Sequence, residues 1–206
     1  MKDLLLFLAV ITSSLCAIAQ DAKAIFSAER VVFYGLDFSK AKFSIPDAKA
    51  SEIKNVLIPT WNTMVVTDNE RFPKESAFQK LNVSGDPTSV ERRNAAINIE
   101  NAMGSTDAAL TPATIQEVVS DYKDGYKTEG IGVVFIVESF SKKDISGVAQ
   151  VVFFDISTRK VLLAKRLSAT PRGAGLRNYW TAAIQVMFEN IIKSEFDLWK
   201  KEVMKK

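Results

Sequence analysis

Gly132-Val133-Val134-Phe135-Ile136-Val137-Glu138-Ser139-Phe140 decides the fold together with the two runs that follow it, Val148 to Ile156 and Val161 to Ala169. Each run is rich in β-branched and aromatic residues, the composition of a pleated, buried strand. Only short polar turns separate them: Lys142 to Gly147, then Ser157 to Lys160. Connections this short make neighbouring strands antiparallel, so the three form a meander. Downstream, Leu176, Trp180, Ile184, Met187, Phe188, Ile191, Phe196 and Trp199 fall at helical spacing. The spacing predicts one long helix over 176–203, roughly 40 Å at about 1.5 Å per residue, with an apolar stripe wide enough to cover a sheet.

Upstream, Val31-Val32-Phe33-Tyr34-Gly35-Leu36-Asp37-Phe38 is almost continuously apolar and suits a central strand buried on both faces. Residues 47–66 read as a helix with Ile53, Val56, Leu57, Trp61 and Met64 on one stripe, Asp47 as its cap and Pro59 as a kink or a division. Residues 69–101 are mixed and polar. A short helix or strand is expected near 77–83 and a helical or extended piece near 90–99. Thr111 caps a helix with Pro112 in its first turn and Ile115, Val118, Val119 and Tyr122 as its buried stripe. The order β-α-(mixed)-α-β-β-β-α predicts an α+β fold. It is a two-layer sandwich: a mixed or antiparallel sheet with a C-terminal three-strand meander, covered mainly on one face by helices.

The first residues read as a targeting segment. Lys2 precedes an apolar run from Leu4 to Ile11, and Ala17-Ile18-Ala19 supplies the small-x-small pattern of a signal-peptidase site. Residues 1–19 are therefore expected to be a signal peptide cleaved before Gln20, with 20–206 a single domain that is periplasmic or secreted. The run is too short for a membrane span, and no later stretch approaches the roughly 20 apolar residues a span needs. Cys16 follows Leu15 rather than a small residue, which fits the apolar core of the signal better than a lipid anchor, though it leaves lipidation open. It is the one cysteine in the chain, and there is no histidine. A disulfide framework, a Cys nucleophile, a Ser-His-Asp triad and a His-ligated metal are thus all excluded from the cleaved chain.

The stretch 130–140, then Val151 to Asp155, then Gly175-Leu176-Arg177-Asn178-Tyr179-Trp180, resembles an uncharacterised family of secreted Gram-negative bacterial proteins. The element order is similar to the small α/β domain of the TolB amino-terminal region and of CsgG-type envelope proteins. The resemblance implies a periplasmic or cell-envelope location and a binding or assembly role, and it transfers no catalytic residue and no cofactor.

Three constellations are candidate sites. The first is the turn Arg172-Gly173-Ala174-Gly175-Leu176-Arg177-Asn178-Tyr179-Trp180, where a strand gives way to a helix. Free N–H groups at a helix start and two arginines suit an anion; alternatively it is a tight turn, with Arg177 paired to a strand carboxylate and Trp180 in the core. Tyr179 and Trp180 point about 100° apart on a helix, so they cannot both face the core. The second is Asp37, Glu138 and Asp155, each closing an apolar strand run. Converging, they would form an acid/base pair or hold a divalent cation; otherwise each closes its own strand or pairs with a base such as Arg177 or Lys165. The third is charge. The net formal charge is +3, yet between Ile156 and Phe188 there is no acid and six bases: Arg159, Lys160, Lys165, Arg166, Arg172 and Arg177. Such a stretch suits an anionic envelope component or another envelope protein, or else a solvated hairpin edge. Nucleic acid is not expected as a partner of an exported protein. The sequence as a whole points to a non-catalytic binding or assembly protein, with a carboxylate-based hydrolase, with or without a metal, as the alternative.

Overall fold

The computed structural model describes residues 22–105 and 109–205. The expected signal peptide, Cys16 and the cleavage position before Gln20 lie outside the described residues. The fold is α+β. Residues 22–27 form a short helix, α1. β1 (Arg30–Asp37) and β2 (Lys42–Ser44) follow, then α2 (Ala50–Glu52), a π turn (Ile53–Leu57) and α3 (Ile58–Thr67) in one continuous helical run. Next come α4 (Lys74–Phe78), β3 (Asn82–Gly85), α5 (Thr88–Ala95), α6 (Ile99–Ala102) and α7 (Pro112–Ser120). β4 (Ile131–Ser141), β5 (Ser146–Asp155) and β6 (Val161–Ala169) form the expected meander. The chain closes with α8 (Leu176–Asn190), a second π turn (Ile191–Glu195) and α9 (Phe196–Met204), the predicted long helix.

The sheet is mixed, in the order β3-β1-β4-β5-β6, with β2 also pairing with β4. β1 runs parallel to β3 and β4, while β4, β5 and β6 alternate. β2 lies parallel to β4 beyond the end of β1, so β1 and β2 share one edge of β4. The region 77–83, read as helix or strand, contains the end of one and the start of the other. One of the expected helix features falls differently. Asp47 does not cap α2, whose N-terminal flank is Lys49; its carboxylate pairs with Lys142 instead. Pro59 falls where the run is divided, directly after the π turn that separates α2 from α3.

Helices cover both faces, unequally. The larger core packs α2, α3, α4, α8 and α9 against Phe33, Phe135, Phe140, Val151 and Phe153. This is the layer that the C-terminal stripe predicts, and Trp180, Ile184, Met187, Phe188, Ile191, Phe196 and Trp199 are all buried in it. A smaller cluster on the opposite face sets Val90 of α5 and Ile115, Val118 and Val119 of α7 against Val32, Tyr34, Val134, Val152 and Phe154. Strand residues alternate between the two clusters with the period of two that a pleated strand imposes.

Candidate functional site

The two helical layers part at the C-terminal half of β1. β3 is only four residues long and pairs with Arg30 to Phe33, so it leaves Leu36 and Phe38 without a strand neighbour on that side. Two amide side chains take the place of the missing strand. Asn62 of α3 accepts a hydrogen bond from the Leu36 N–H through Oδ1 at 2.8 Å. Asn94 of α5 accepts from the Phe38 N–H at 2.7 Å and donates Nδ2 to the Leu36 carbonyl at 2.8 Å. Unpaired backbone groups in this buried position would cost about 1–3 kcal/mol each. Gly35 makes the approach feasible. Its φ is +93°, and a Cβ there would stand 2.2 Å from Asn62 Oδ1.

Between α3 and α5, over these amides, lies a cleft of about 380 Å³. Ile58, Pro59 and Ala95 give it apolar walls, and Lys54, Asn55, Asn62, Thr63, Glu91 and Asn94 supply its polar groups. Because the Leu36 N–H fixes the orientation of the Asn62 amide, Nδ2 is the atom left over. Asn62 is 2% exposed, and its Nδ2 donates to no other group among the described residues. Lys54 Nζ is steadied by the Ile97 carbonyl at 2.8 Å and has two further N–H donors. Glu91 is exposed and its carboxylate has no partner among the described residues. Mostly apolar walls with a few fixed polar groups, at the point where chain connections leave a parallel pair in opposite directions, is the usual setting of a ligand site in such sheets. No spacing motif marks this cleft in the sequence. The available signal is Asn62, which interrupts the apolar face of α3; the buried face of α5 is itself polar, with Ser89 and Asn94 beside Val90.

The three sequence-predicted acids do not converge. Asp37 lies beside Ile136 in the β1–β4 register, and Glu138 follows close by on β4. Asp155 pairs with Ile131, near the other end of β4, about 16 Å away along the strand. Each acid also has its own partners. Asp37 is buried and accepts from Arg93 Nε at 2.9 Å, Tyr122 Oη at 2.8 Å and the Ser39 N–H at 2.8 Å. Glu138 accepts from Arg166 Nε at 2.7 Å, Gln150 Nε2 at 2.8 Å and the Leu110 N–H at 3.1 Å. Its partner is thus Arg166, and neither Arg177 nor Lys165 reaches it. Asp155 closes a turn by accepting from Ser157 and Thr158, and those bonds hold its carboxyl below the usual range against the opposing effect of burial. Arg93 bridges Asp37 to Asp121 at 2.6 Å, and a burial-raised Tyr122 closes the network. Among the described residues, no group of three His, Cys, Asp or Glu is placed to hold a metal ion.

At least half of the six bases in the basic stretch meet a carboxylate on folding. Arg166 pairs with Glu138, Lys165 with Glu202 and Arg172 with Glu189. The acids come from β4 and the C-terminal helix, which pack beside the bases despite their distance in sequence. At the Arg172 to Trp180 corner, Gly173 and Gly175 adopt φ of +92° and +76°, which explains both glycines. Trp180 is fully buried and stacks on Phe140 with centroids 4.7 Å apart, while Tyr179 is half-buried. Arg177 and Asn178 are exposed, and the Arg177 side chain has no partner among the described residues; its carbonyl accepts from Trp61 Nε1 at 3.1 Å. A shallow depression of about 420 Å³ adjoins Gly173, Gly175 and Tyr179, with the Asp47–Lys142 pair on its rim. The charge there is mixed, and the polar groups lie at the surface.

No family model matches the chain, and no curated protein does. Among solved structures, the chain is similar to the hypothetical protein CT253 from Chlamydia trachomatis, at 10% identity and a TM-score of 0.36, over 87% of this chain and 100% of that one. Among the described residues no helix is long and apolar enough to cross a membrane.

Proposed function

We propose that this chain is an exported, non-catalytic binding module of the cell envelope, and that its ligand seats in the cleft between α3 and α5. The observation that carries the reading is the Asn62 amide. Its oxygen is committed to the β1 backbone, and its nitrogen opens onto the cleft and donates to no group among the described residues. A donor held in one orientation at the floor of a cleft meets a ligand acceptor with little reorganisation. The candidate acids are each occupied by their own cation or turn, which favours binding over carboxylate catalysis. The leftover charge at the corner is Arg177, so an anionic envelope component would meet a single unpaired base there rather than a basic field.

Thermal-shift screening of small polar compounds tests the site. Compounds that raise Tm should lose the effect in Ala95→Trp, where an exposed helix position fills the cleft. A panel in which every hit survives Ala95→Trp would sink the reading. The export half is tested by intact-mass measurement of the protein recovered from envelope fractions. A mass beginning at Gln20 is expected, and one retaining residues 1–19 or carrying lipid at Cys16 would refute it.

A further inference from the structure

The cleft has a direction. Asn62 and Asn94 meet over Leu36, so α3 and α5 face each other at that level. Lys54 reaches the Ile97 carbonyl just past the end of α5, while Glu91 lies one turn before Asn94. The cation therefore stands at one end of the cleft and the carboxylate at the other, with the Asn62 donor between them. Along α5 the separation from Glu91 to Ile97, the residue whose carbonyl holds Lys54, is about 9 Å. Neither charge is balanced by an opposite charge among the described residues: Lys54 meets a carbonyl, and Glu91 meets no group.

We infer that the cleft takes a short zwitterionic peptide of about three residues, its carboxylate at Lys54, its ammonium at Glu91 and a peptide carbonyl on Asn62 Nδ2. The inference rests on the cleft being the ligand site. An extended chain advances about 3.3–3.6 Å per residue, so three residues match the spacing of the two charges. Lys54 has two N–H groups left for a carboxylate, and Asn62 offers a neutral donor where a peptide backbone offers a neutral acceptor. Ile58, Pro59 and Ala95 present surfaces to small apolar side chains. The site recognises termini and backbone, so it should tolerate varied side chains. A dianion would meet Glu91 with like charge, and a diamine would meet Lys54 so.

Calorimetry with trialanine, N-acetyl-trialanine, trialanine amide and free alanine tests this on the full chain. Trialanine should bind at least tenfold more tightly than each of the other three. Glu91→Gln should erase the difference between free and acetylated peptide, and Lys54→Met the difference between free and amidated peptide. Both positions are at least partly exposed, and circular dichroism checks that the variants fold. Equal affinity for all three peptides, or alanine binding as tightly as trialanine, overturns the inference. So does the absence of any peptide binding. In that case screening hits that Ala95→Trp abolishes leave the cleft standing as a site for another ligand. Trialanine binding that persists unchanged in Ala95→Trp overturns both the peptide inference and the cleft.

Discussion

The two faces of the sheet are held by different physics. On the larger face, rings do the packing: Phe135 stacks on Phe188 at 5.1 Å and Phe140 on Trp180 at 4.7 Å. Its buried cations, Lys74 and Lys80, meet backbone carbonyls and aromatic faces rather than carboxylates. On the smaller face the apolar cluster shares its space with charge. Tyr34 stacks on Tyr122, Tyr122 donates to Asp37, and Arg93 ties Asp37 to Asp121. Area stabilises the first face, and mutual pairing stabilises the second. A substitution on the first should cost in proportion to the volume removed, while one on the second should cost according to what it leaves unpaired.

The largest effect is expected from Phe188→Ala. Phe188 lies within 6.3 Å, centroid to centroid, of Phe33, Phe72, Phe78 and Phe135, so its loss opens a cavity that four other rings cannot all close. About 3–5 kcal/mol of destabilisation is the usual range for such a truncation, to be read from chemical denaturation. A loss below about 1 kcal/mol would show that the aromatic face repacks freely and would break the contrast.

Asp37→Ala comes next, at about 3 kcal/mol, near the low end for breaking a buried pair because Arg93 keeps Asp121. The volume removed is small, so the penalty arises from the Arg93 Nε–H and the Tyr122 hydroxyl, which lose their acceptor. The double variant Asp37→Ala with Arg93→Met should recover part of the loss. A double variant no better than the sum of its singles would show that pairing is not what holds this face.

These differences in physics track what could be read from the sequence. The aromatic face was legible because its signals are local: β-branched runs of nine or so residues, turns of a few residues, and one helical stripe from Trp180 to Trp199. The paired face was not. Asp37 was visible as a strand-ending acid, but its partners Arg93 and Tyr122 are 56 and 85 residues away. The same holds for the cleft. Asn62 is 26 residues from Leu36 and Asn94 is 58, and they matter only because β3 stops short. The charge asymmetry of residues 156–188 is real as composition, but Glu138, Glu189 and Glu202 pack against it from other elements. Periodicity records which way a side chain points along its own element. It carries nothing about which distant group stands opposite.

Alkaline titration offers the gentlest way to separate the faces, because it should move them in opposite directions. Burial pushes Lys74 and Lys80 below their ordinary 10.5. Between the folded value and 10.5 the unfolded chain holds a proton that the folded chain has released, so stability rises with pH across that window. Burial pushes Tyr34 up to about 12 from its ordinary 10.0, with Asp86 adding to the shift, and pushes Tyr122 up as well, with Asp37 adding. Their contribution is fully present below pH 10 and is lost as pH rises through the folded values, where the unfolded chain sheds its protons first. Tm measured from pH 8 to 12 should therefore hold or climb toward pH 10 and fall beyond it. Lys74→Met and Lys80→Met should flatten the rise without touching the fall, and Tyr34→Phe should soften the fall without touching the rise. If either class of variant changed both limbs, the two faces would titrate as one unit and the division between area and pairing would not hold.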